Sequence, residues 1–226
     1  MKVTSYLKVI ICVCTILCGC DEHKSSLNLK KSQKSDTDYL SPYKEWYFSF
    51  IIPRSLPALP TYLELLDTDG IAYHFETLDW PQGESIGKWN ERNGYGTPAF
   101  NKAKNPPQYI RFCWDSVIDK KTYETKITFY SDTWLKMITP EPEWSDKSKN
   151  YYHRYMIISL APEGKARVWL EDNGKQDLLL TTPKISTVSG KDLTFCKDKT
   201  KHPNGYKYYG ETSEFIKNKK YPYGVW

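Results

Sequence analysis

The feature that most constrains this chain is a series of short aromatic and β-branched runs separated by turn-forming residues. Such runs favour β-strands, because branched and aromatic side chains pack well on a pleated surface. They follow one another at short, fairly regular intervals, and little of the chain has a helical period. The chain therefore predicts a mainly β fold: an antiparallel β-sandwich or barrel-like domain with one short helix.

Several of the predicted strands lie next to each other along the chain and should form hairpins. The pairs are separated by turn-forming residues such as Asp67 to Gly70 and Pro162 to Gly164, which favour tight reversals. We predict a first strand at residues 45–52, a possible edge strand at 176–182, and hairpins formed by residues 62–66 with 71–75, 108–115 with 122–130, and 155–161 with 165–171.

Residues 122–130 have the clearest alternation. One face carries Tyr123, Thr125, Ile127 and Phe129, and the other carries Glu124, Lys126 and Thr128. This pattern predicts one buried and one solvated face.

The single predicted helix follows that strand. Ser131 and Asp132 offer N-cap chemistry, and Pro140 ends the run. We expect Trp134, Leu135 and Ile138 to form its apolar stripe.

The N-terminus has the organisation of a lipoprotein signal peptide. Lys2 and Lys8 lead into an apolar run over residues 9–17, and Cys18 and Gly19 precede Cys20. This run is well short of the roughly 20 residues needed to cross the hydrocarbon core. We therefore predict a signal peptide over residues 1–19 and a mature chain that begins with lipidated Cys20.

Lipidation predicts a protein of the cell envelope that faces the periplasm and reaches the membrane through its palmitate-type acyl chains. Asp21, directly after Cys20, resembles the signal that retains a lipoprotein in the inner membrane, so the inner membrane is favoured over the outer one. Residues 20–42 are rich in Lys, Ser and Asp and predict a flexible tether. A single β-rich domain is expected over residues 43–226.

The charge of the mature chain is small. Without the signal peptide it has 30 basic and 27 acidic side chains, a net charge of +3. This balance gives no electrostatic argument for nucleic acid binding, which needs a basic patch.

Cys113 and Cys196 are the cysteines that remain beyond Cys20. Two cysteines in an oxidising compartment predict one disulfide. The alternative is a pair of buried free thiols, which behave as small hydrophobic groups.

Residues 79–107 form the most unusual segment, because they are rich in Gly, Pro and Asn and show no strand or helix period. They also contain Trp80, Trp89 and Tyr95. Long loops of this kind are typically functional or disordered, and Trp and Tyr are frequent interface anchors. We expect a surface excursion that exposes at least one of these rings, and two interpretations stay open: packing over the sheet or contact with a partner.

The sequence contains no Walker A loop or HExxH motif and no Gly-rich dinucleotide turn between a predicted strand and a predicted helix. Its GxSxG match, GESIG at residues 83–87, lies in the segment without strand or helix period, so it does not form the strand-to-helix elbow of a hydrolase. His23, His74, His153 and His202 stand in no metal-ligand spacing, so the sequence predicts no metal site and no cofactor. A non-enzymatic binding protein is the resulting prediction. A hydrolase whose site is assembled only in space is an alternative.

Four segments resemble the bacterial lipoproteins catalogued as domain of unknown function 2931: EWYFSFIIP, LLDTDGIAYHF, PAFNKAKNPPQYIRFCWDSVIDKKTYET and HPNGYKYYGETSEFIKNKKYPYG. The resemblance covers about residues 43–226 and implies a small envelope lipoprotein of Gram-negative bacteria with no assigned active site. Some members resemble immunity lipoproteins, which implies a toxic phospholipase effector of type VI secretion as the protein partner. The alternative is a glycan or peptidoglycan binding module that uses Trp80, Trp89 and Trp144 as stacking platforms.

Overall fold

The computed structural model describes residues 39–81, 84–85 and 97–218. Their strands, in chain order, are β1 (Trp46–Pro53), β2 (Ala58–Asp67), β3 (Ala72–Phe75), β4 (Glu84–Ser85), β5 (Lys102–Ala103), β6 (Pro107–Ser116), β7 (Lys121–Thr128), β8 (Glu141–Pro142), β9 (Asn150–Tyr151), β10 (Tyr155–Ala161), β11 (Lys165–Leu170), β12 (Leu178–Leu179) and β13 (Lys184–Ser189). The helices are α1 (Ser131–Ile138) and α2 (Thr212–Ile216), with a 3-10 turn at Gly190–Asp192.

The strands form two main sheets that pack face to face. The first has the order β12-β11-β10-β1-β4, with β5 also paired to β1, and the second has the order β13-β7-β6-β2-β3. Strands β8 and β9 form a separate small hairpin. Among the described strands neither main sheet closes into a barrel, so the predicted mainly β, sandwich-like fold is confirmed.

Two pairings, both made by β1, differ from the simple antiparallel pattern. Strand β1 runs parallel to β10 and to β4, whereas the second sheet is antiparallel throughout its described pairs. Parallel neighbours need a long crossover, and here the chain forms most of the second sheet between β1 and β10. Local sequence patterns do not record this pairing.

The three predicted hairpins are confirmed. They are β2 with β3, β6 with β7, and β10 with β11. The predicted edge strand over 176–182 is reduced to the two residues of β12. Strand β13, which pairs with β7, was not predicted.

The core lies between the two sheets and is built from alternate residues of each long strand, whose side chains point inward. Inside it, the indole nitrogen of the buried Trp114 donates a hydrogen bond to the Thr125 hydroxyl at 2.9 Å. Its ring stacks on Tyr123, with centroids 4.7 Å apart. The largest fully buried side chains are Trp46, Trp114, Phe48, Phe50, Phe112, Phe129, Leu56, Leu63, Leu65, Ile110, Ile127 and Met137.

The outer face of the second sheet is covered by residues 193–209, which we call the strap. The prediction of a solvated outer face on β7 is wrong at Glu124, which is only 1% exposed. Its Oε2 accepts hydrogen bonds from the backbone amides of Thr194, Phe195 and Cys196, at 2.8 to 3.1 Å. A segment 70 residues away along the chain therefore removes this carboxylate from water.

The predicted disulfide is confirmed and fastens the strap. Cys113 on β6 bonds to Cys196, with Cα atoms 5.4 Å apart. Asp115, two residues along the same face, accepts from the Lys201 amide at 2.7 Å and from the Tyr206 hydroxyl at 2.9 Å. The strap is thus held by one covalent bond and two buried carboxylates.

Helix α1 forms where it was predicted, but its cap and its buried face differ. Residue Tyr130 occupies the N-cap position without a side-chain cap bond. The buried residues are Thr133 and Met137, while Leu135 is 45% exposed. The predicted apolar stripe was therefore wrong at Leu135, because the packing of α1 against the sheets fixes the rotation of the helix.

No helix in the described part of the chain is long and apolar enough to span a membrane.

Two residues that the sequence assigned to the end of the tether contact the domain. The Tyr39 carbonyl accepts from the Thr68 hydroxyl at 2.7 Å, and the Ser41 amide donates to Asn105 Oδ1 at 3.0 Å. Tyr39 also makes an edge contact with Trp134. Tyr39 and Ser41 therefore belong to the folded domain rather than to a free tether.

Candidate functional site

Trp80 is the sequence-predicted site residue that the structure exposes. Its side chain is 75% exposed, so the expectation that at least one of the three aromatic rings reaches the surface is confirmed by this residue. Trp89, Tyr95 and Cys20 lie outside the described residues. The segment over 79–107 is also not uniformly irregular, because it contains β4 and β5 and buries Asn101 and Asn105.

Asp79 fixes the backbone that carries Trp80. Its carboxylate accepts hydrogen bonds from three successive amides, those of Ala99, Phe100 and Asn101, at 2.9 to 3.1 Å. In return, Asn101 Oδ1 accepts from the Asp79 amide at 3.0 Å. Asp79 and residues 99–101 are therefore joined to each other by hydrogen bonds in both directions.

These joined residues are connected to the core. The Asn101 carbonyl accepts from the Phe48 amide of β1 at 3.0 Å, and both Asn101 and Phe48 are completely buried. Charge-assisted bonds to a carboxylate are among the stronger hydrogen bonds in proteins. An exposed indole is thus attached to a backbone that is held by the sandwich.

Trp80 lies beside a groove of about 660 Å³, which we call the Trp80 groove. The groove lies where β2, the segment after β3 and the strap meet. Its lining is largely apolar, and Glu76 and Lys201 add exposed charges. The lining residues are Leu59, Pro60, Thr61, Glu76, Thr77, Leu78, Asp79, Trp80, Pro81, Lys201, His202 and Tyr209.

The groove has one tyrosine hydroxyl, that of Tyr209, a residue that is 51% exposed. Its partial burial raises the pKa of Tyr209 above its ordinary value of 10. Because a tyrosine is neutral below its pKa, this hydroxyl stays protonated at physiological pH and can both donate and accept hydrogen bonds. The groove therefore combines apolar contact area with a few polar groups, a composition typical of binding sites.

A second groove, of about 600 Å³, lies around β9 and the start of β10. We call it the tyrosine groove, because five tyrosines contribute to it. Burial raises the pKa of Tyr43 to about 12, so its hydroxyl is also neutral. The lining residues are Tyr43, Tyr47, Thr97, Glu143, Asn150, Tyr151, Tyr152, Arg154, Tyr155 and Glu171.

Sequence reasoning found Trp80 but missed most of its neighbours. Leu59, Pro60 and Tyr209 were part of no predicted site. These residues are brought together by the sheet register and by the strap, over separations of more than 100 residues. A chain-local motif does not carry this information.

The fold and its surface define a disulfide-linked β-sandwich domain with an aromatic-rimmed groove. A family model described as a protein of unknown function (DUF2931) matches residues 25–224, and the chain belongs to that family. No curated protein and no solved structure matches the chain.

Proposed function

We propose that this protein is a non-enzymatic lipoprotein of the cell envelope that binds a protein partner through Trp80 and its groove. The observation that carries the proposal is a 75% exposed indole on a backbone that Asp79 joins to Asn101. Trp is enriched at the centres of protein interfaces, where it supplies a large contact area.

The bracing of Trp80 supports binding in a second way. Association costs conformational entropy for every group that must be ordered. Three backbone amides already donate hydrogen bonds to the Asp79 carboxylate, next to Trp80. The backbone at Trp80 therefore loses less conformational entropy when a partner binds. The adjoining groove offers apolar surface for a partner side chain beside the ring.

The most concrete partner is a toxic phospholipase effector delivered into the envelope, which the family resemblance implies. In this proposal Cys20 is acylated, and the lipid concentrates the domain at the membrane where such an enzyme acts. Occlusion of the catalytic cleft by the Trp80 surface would then make the protein an immunity protein.

The test uses the full-length lipoprotein and any phospholipase effector that is encoded beside its gene. We expect Trp80→Ala to weaken effector binding by about 2 kcal/mol or more, which is roughly thirtyfold or more in Kd. The melting temperature should stay almost unchanged, because an exposed ring contributes little to folding.

Trp144→Ala is the matched control, since Trp144 is also strongly exposed, at 67%, but belongs to the connection between β8 and β9. It should bind the effector as the wild type does. If Trp80→Ala binds with wild-type affinity, or if a deletion strain tolerates the effector, the proposal is wrong.

A glycan or peptidoglycan binding module is the second candidate, and the tyrosine groove favours it. Aromatic side chains present apolar faces with polar hydroxyl groups, and Glu143 and Arg154 add hydrogen-bonding groups beside them. This function predicts that cell-wall polymer retains the protein and that Tyr47→Ala, a change inside the tyrosine groove, reduces retention. Equal retention of this variant and the wild type would exclude it.

A further inference from the structure

Three metal-ligating side chains meet beside the β8 and β9 hairpin. We propose that Glu141, His153 and Asp172 form a binding site for a divalent transition metal, with Zn²⁺ as the metal that fits best. Each residue offers one ligand atom, and these atoms all lie within 4.8 Å of one another. The three residues form no metal-binding motif in the sequence. They come together only in the fold, through the β8 and β9 hairpin and the end of β11.

His153 is held in an orientation that suits a metal ligand. Its Nδ1 lies 2.9 Å from the Glu171 carbonyl oxygen, and a carbonyl can only accept, so Nδ1 carries a proton. Nε2 is then the ring nitrogen that a metal ion would bind. Metal-bound histidines characteristically donate their other ring nitrogen to a backbone carbonyl or carboxylate in this way.

Nε2 faces a carboxylate. Glu141 Oε1 lies 3.4 Å away, a separation that either a proton on Nε2 or a metal ion bound by both atoms can bridge. His153 is only 4% exposed, and Tyr151 makes an edge contact with its ring at 5.3 Å. The imidazole is therefore fixed with Nε2 directed at a carboxylate.

Asn173 braces the two sides of the cluster. Its side-chain amide donates to the Pro142 carbonyl at 2.7 Å, and its Oδ1 accepts from the Trp144 amide at 2.8 Å. These bonds join the strand that carries Glu141 to the loop that carries Asp172. Such outer bonds orient the ligands of protein metal sites.

The imidazole ligand selects zinc over calcium or magnesium. Zinc binds imidazole nitrogen and carboxylate oxygen at about 2.0 to 2.2 Å, so two ligand atoms of a tetrahedral site lie about 3.4 Å apart. Nε2 of His153 and Oε1 of Glu141 have this separation. Calcium and magnesium prefer all-oxygen sets. Three protein ligands leave a fourth zinc position for water or for a group from a partner.

The test is calorimetric titration of the chelator-treated, full-length protein with Zn²⁺ alone, and with Mg²⁺ as the comparison metal. We expect one zinc ion per chain and no magnesium binding. Glu141→Gln should weaken zinc binding by at least about tenfold. His74→Gln is the matched control, because His74 also lies near a carboxylate, with Nδ1 3.2 Å from Glu64 Oε1, and is exposed. It should leave zinc affinity unchanged.

A second measurement keeps the proposal testable if replacement of the buried His153 disturbs folding. In ¹⁵N spectra of the wild-type histidine rings, zinc should move the Nε2 resonance of His153 while Nδ1 stays protonated. The proposal is overturned if both ring nitrogens are protonated and unchanged at saturating zinc. Equal zinc affinity of Glu141→Gln and the wild type would overturn it as well.

Discussion

Glu124 is a carboxylate that folding removes almost completely from water, and its environment determines its charge. Burial opposes ionisation, but the amide hydrogen bonds from Thr194 and Cys196, together with Lys126, outweigh it and hold the pKa of Glu124 below its ordinary value of 4.5. The Lys126 ammonium lies 3.2 Å from Glu124 Oε1. The ionised form is therefore the form that fastens the strap.

We expect Glu124→Gln to lower the free energy of unfolding at pH 7 by about 1 to 3 kcal/mol, because an uncharged amide satisfies these donors less well. A group whose pKa is lower in the folded state stabilises the fold above its unfolded pKa, and this stabilisation is lost as the pH falls through the folded value. The wild type should therefore lose stability on acidification below about pH 4.5, and the variant should lose less.

Denaturant unfolding at pH 7 and at pH 3 measures both effects. The control is Glu214→Gln, because Glu214 is 82% exposed and pairs only at the surface with Lys217. Its stability should stay close to that of the wild type at both pH values. Identical unfolding curves of Glu124→Gln and the wild type at pH 7 would contradict the role given to this carboxylate.

The strap is the segment that packs on the outer face of the second sheet, over β6 and β7. Its disulfide closes a loop of 83 residues, and such a cross-link mainly restricts the unfolded chain. We expect the double variant Cys113→Ala and Cys196→Ala to lose roughly 2 to 4 kcal/mol of unfolding free energy. Denaturant unfolding of the oxidised wild type and the variant measures this loss.

Hydrogen exchange gives a local readout of the same change. The amides of Thr194 and Phe195 should exchange faster in the double variant, because their bonds to Glu124 then depend on a less restrained segment. Amides in the middle of β10 should follow global stability only. Unchanged exchange at both strap amides would show that the carboxylates alone hold the strap.

The sequence predicted the elements that depend on local signals, but not the features that depend on contacts between distant elements. The hairpins were predictable because turn residues such as Asp67 and Gly70 and the alternation on each strand are local signals. The burial of Glu124 was not, because its cover comes from residues 193–209. The rotation of α1 likewise depends on the sheets against which Met137 packs.

For the whole molecule, the candidate site shows the same difference between local sequence signals and contacts made by distant residues. Trp80 was predictable, because an aromatic residue in a long polar segment is a local anomaly. Its groove was not, since it combines Leu59, Leu78 and Tyr209 from three separate parts of the chain. The Glu141, His153 and Asp172 cluster also depends on tertiary packing, which explains why the search for ligand spacing found no metal site.

The proposed function requires that the domain be held at a membrane, and this requirement rests on Cys20. We expect Cys20→Ser to abolish lipidation, because a serine hydroxyl does not replace the thiol that receives the diacylglycerol. The protein should then remain an uncut precursor or become a soluble periplasmic form. Two or more acyl chains give stable anchoring, since each buried methylene contributes about 0.8 kcal/mol.

Metabolic labelling with a palmitate analogue, followed by membrane fractionation, measures both outcomes. Cys18→Ser is the matched control and should keep label and membrane association, because the neighbouring thiol of Cys18 has no acyl-acceptor role in this assignment. Label on the Cys20→Ser protein would contradict the predicted lipidation site and, with it, the membrane-anchored form of the proposed function.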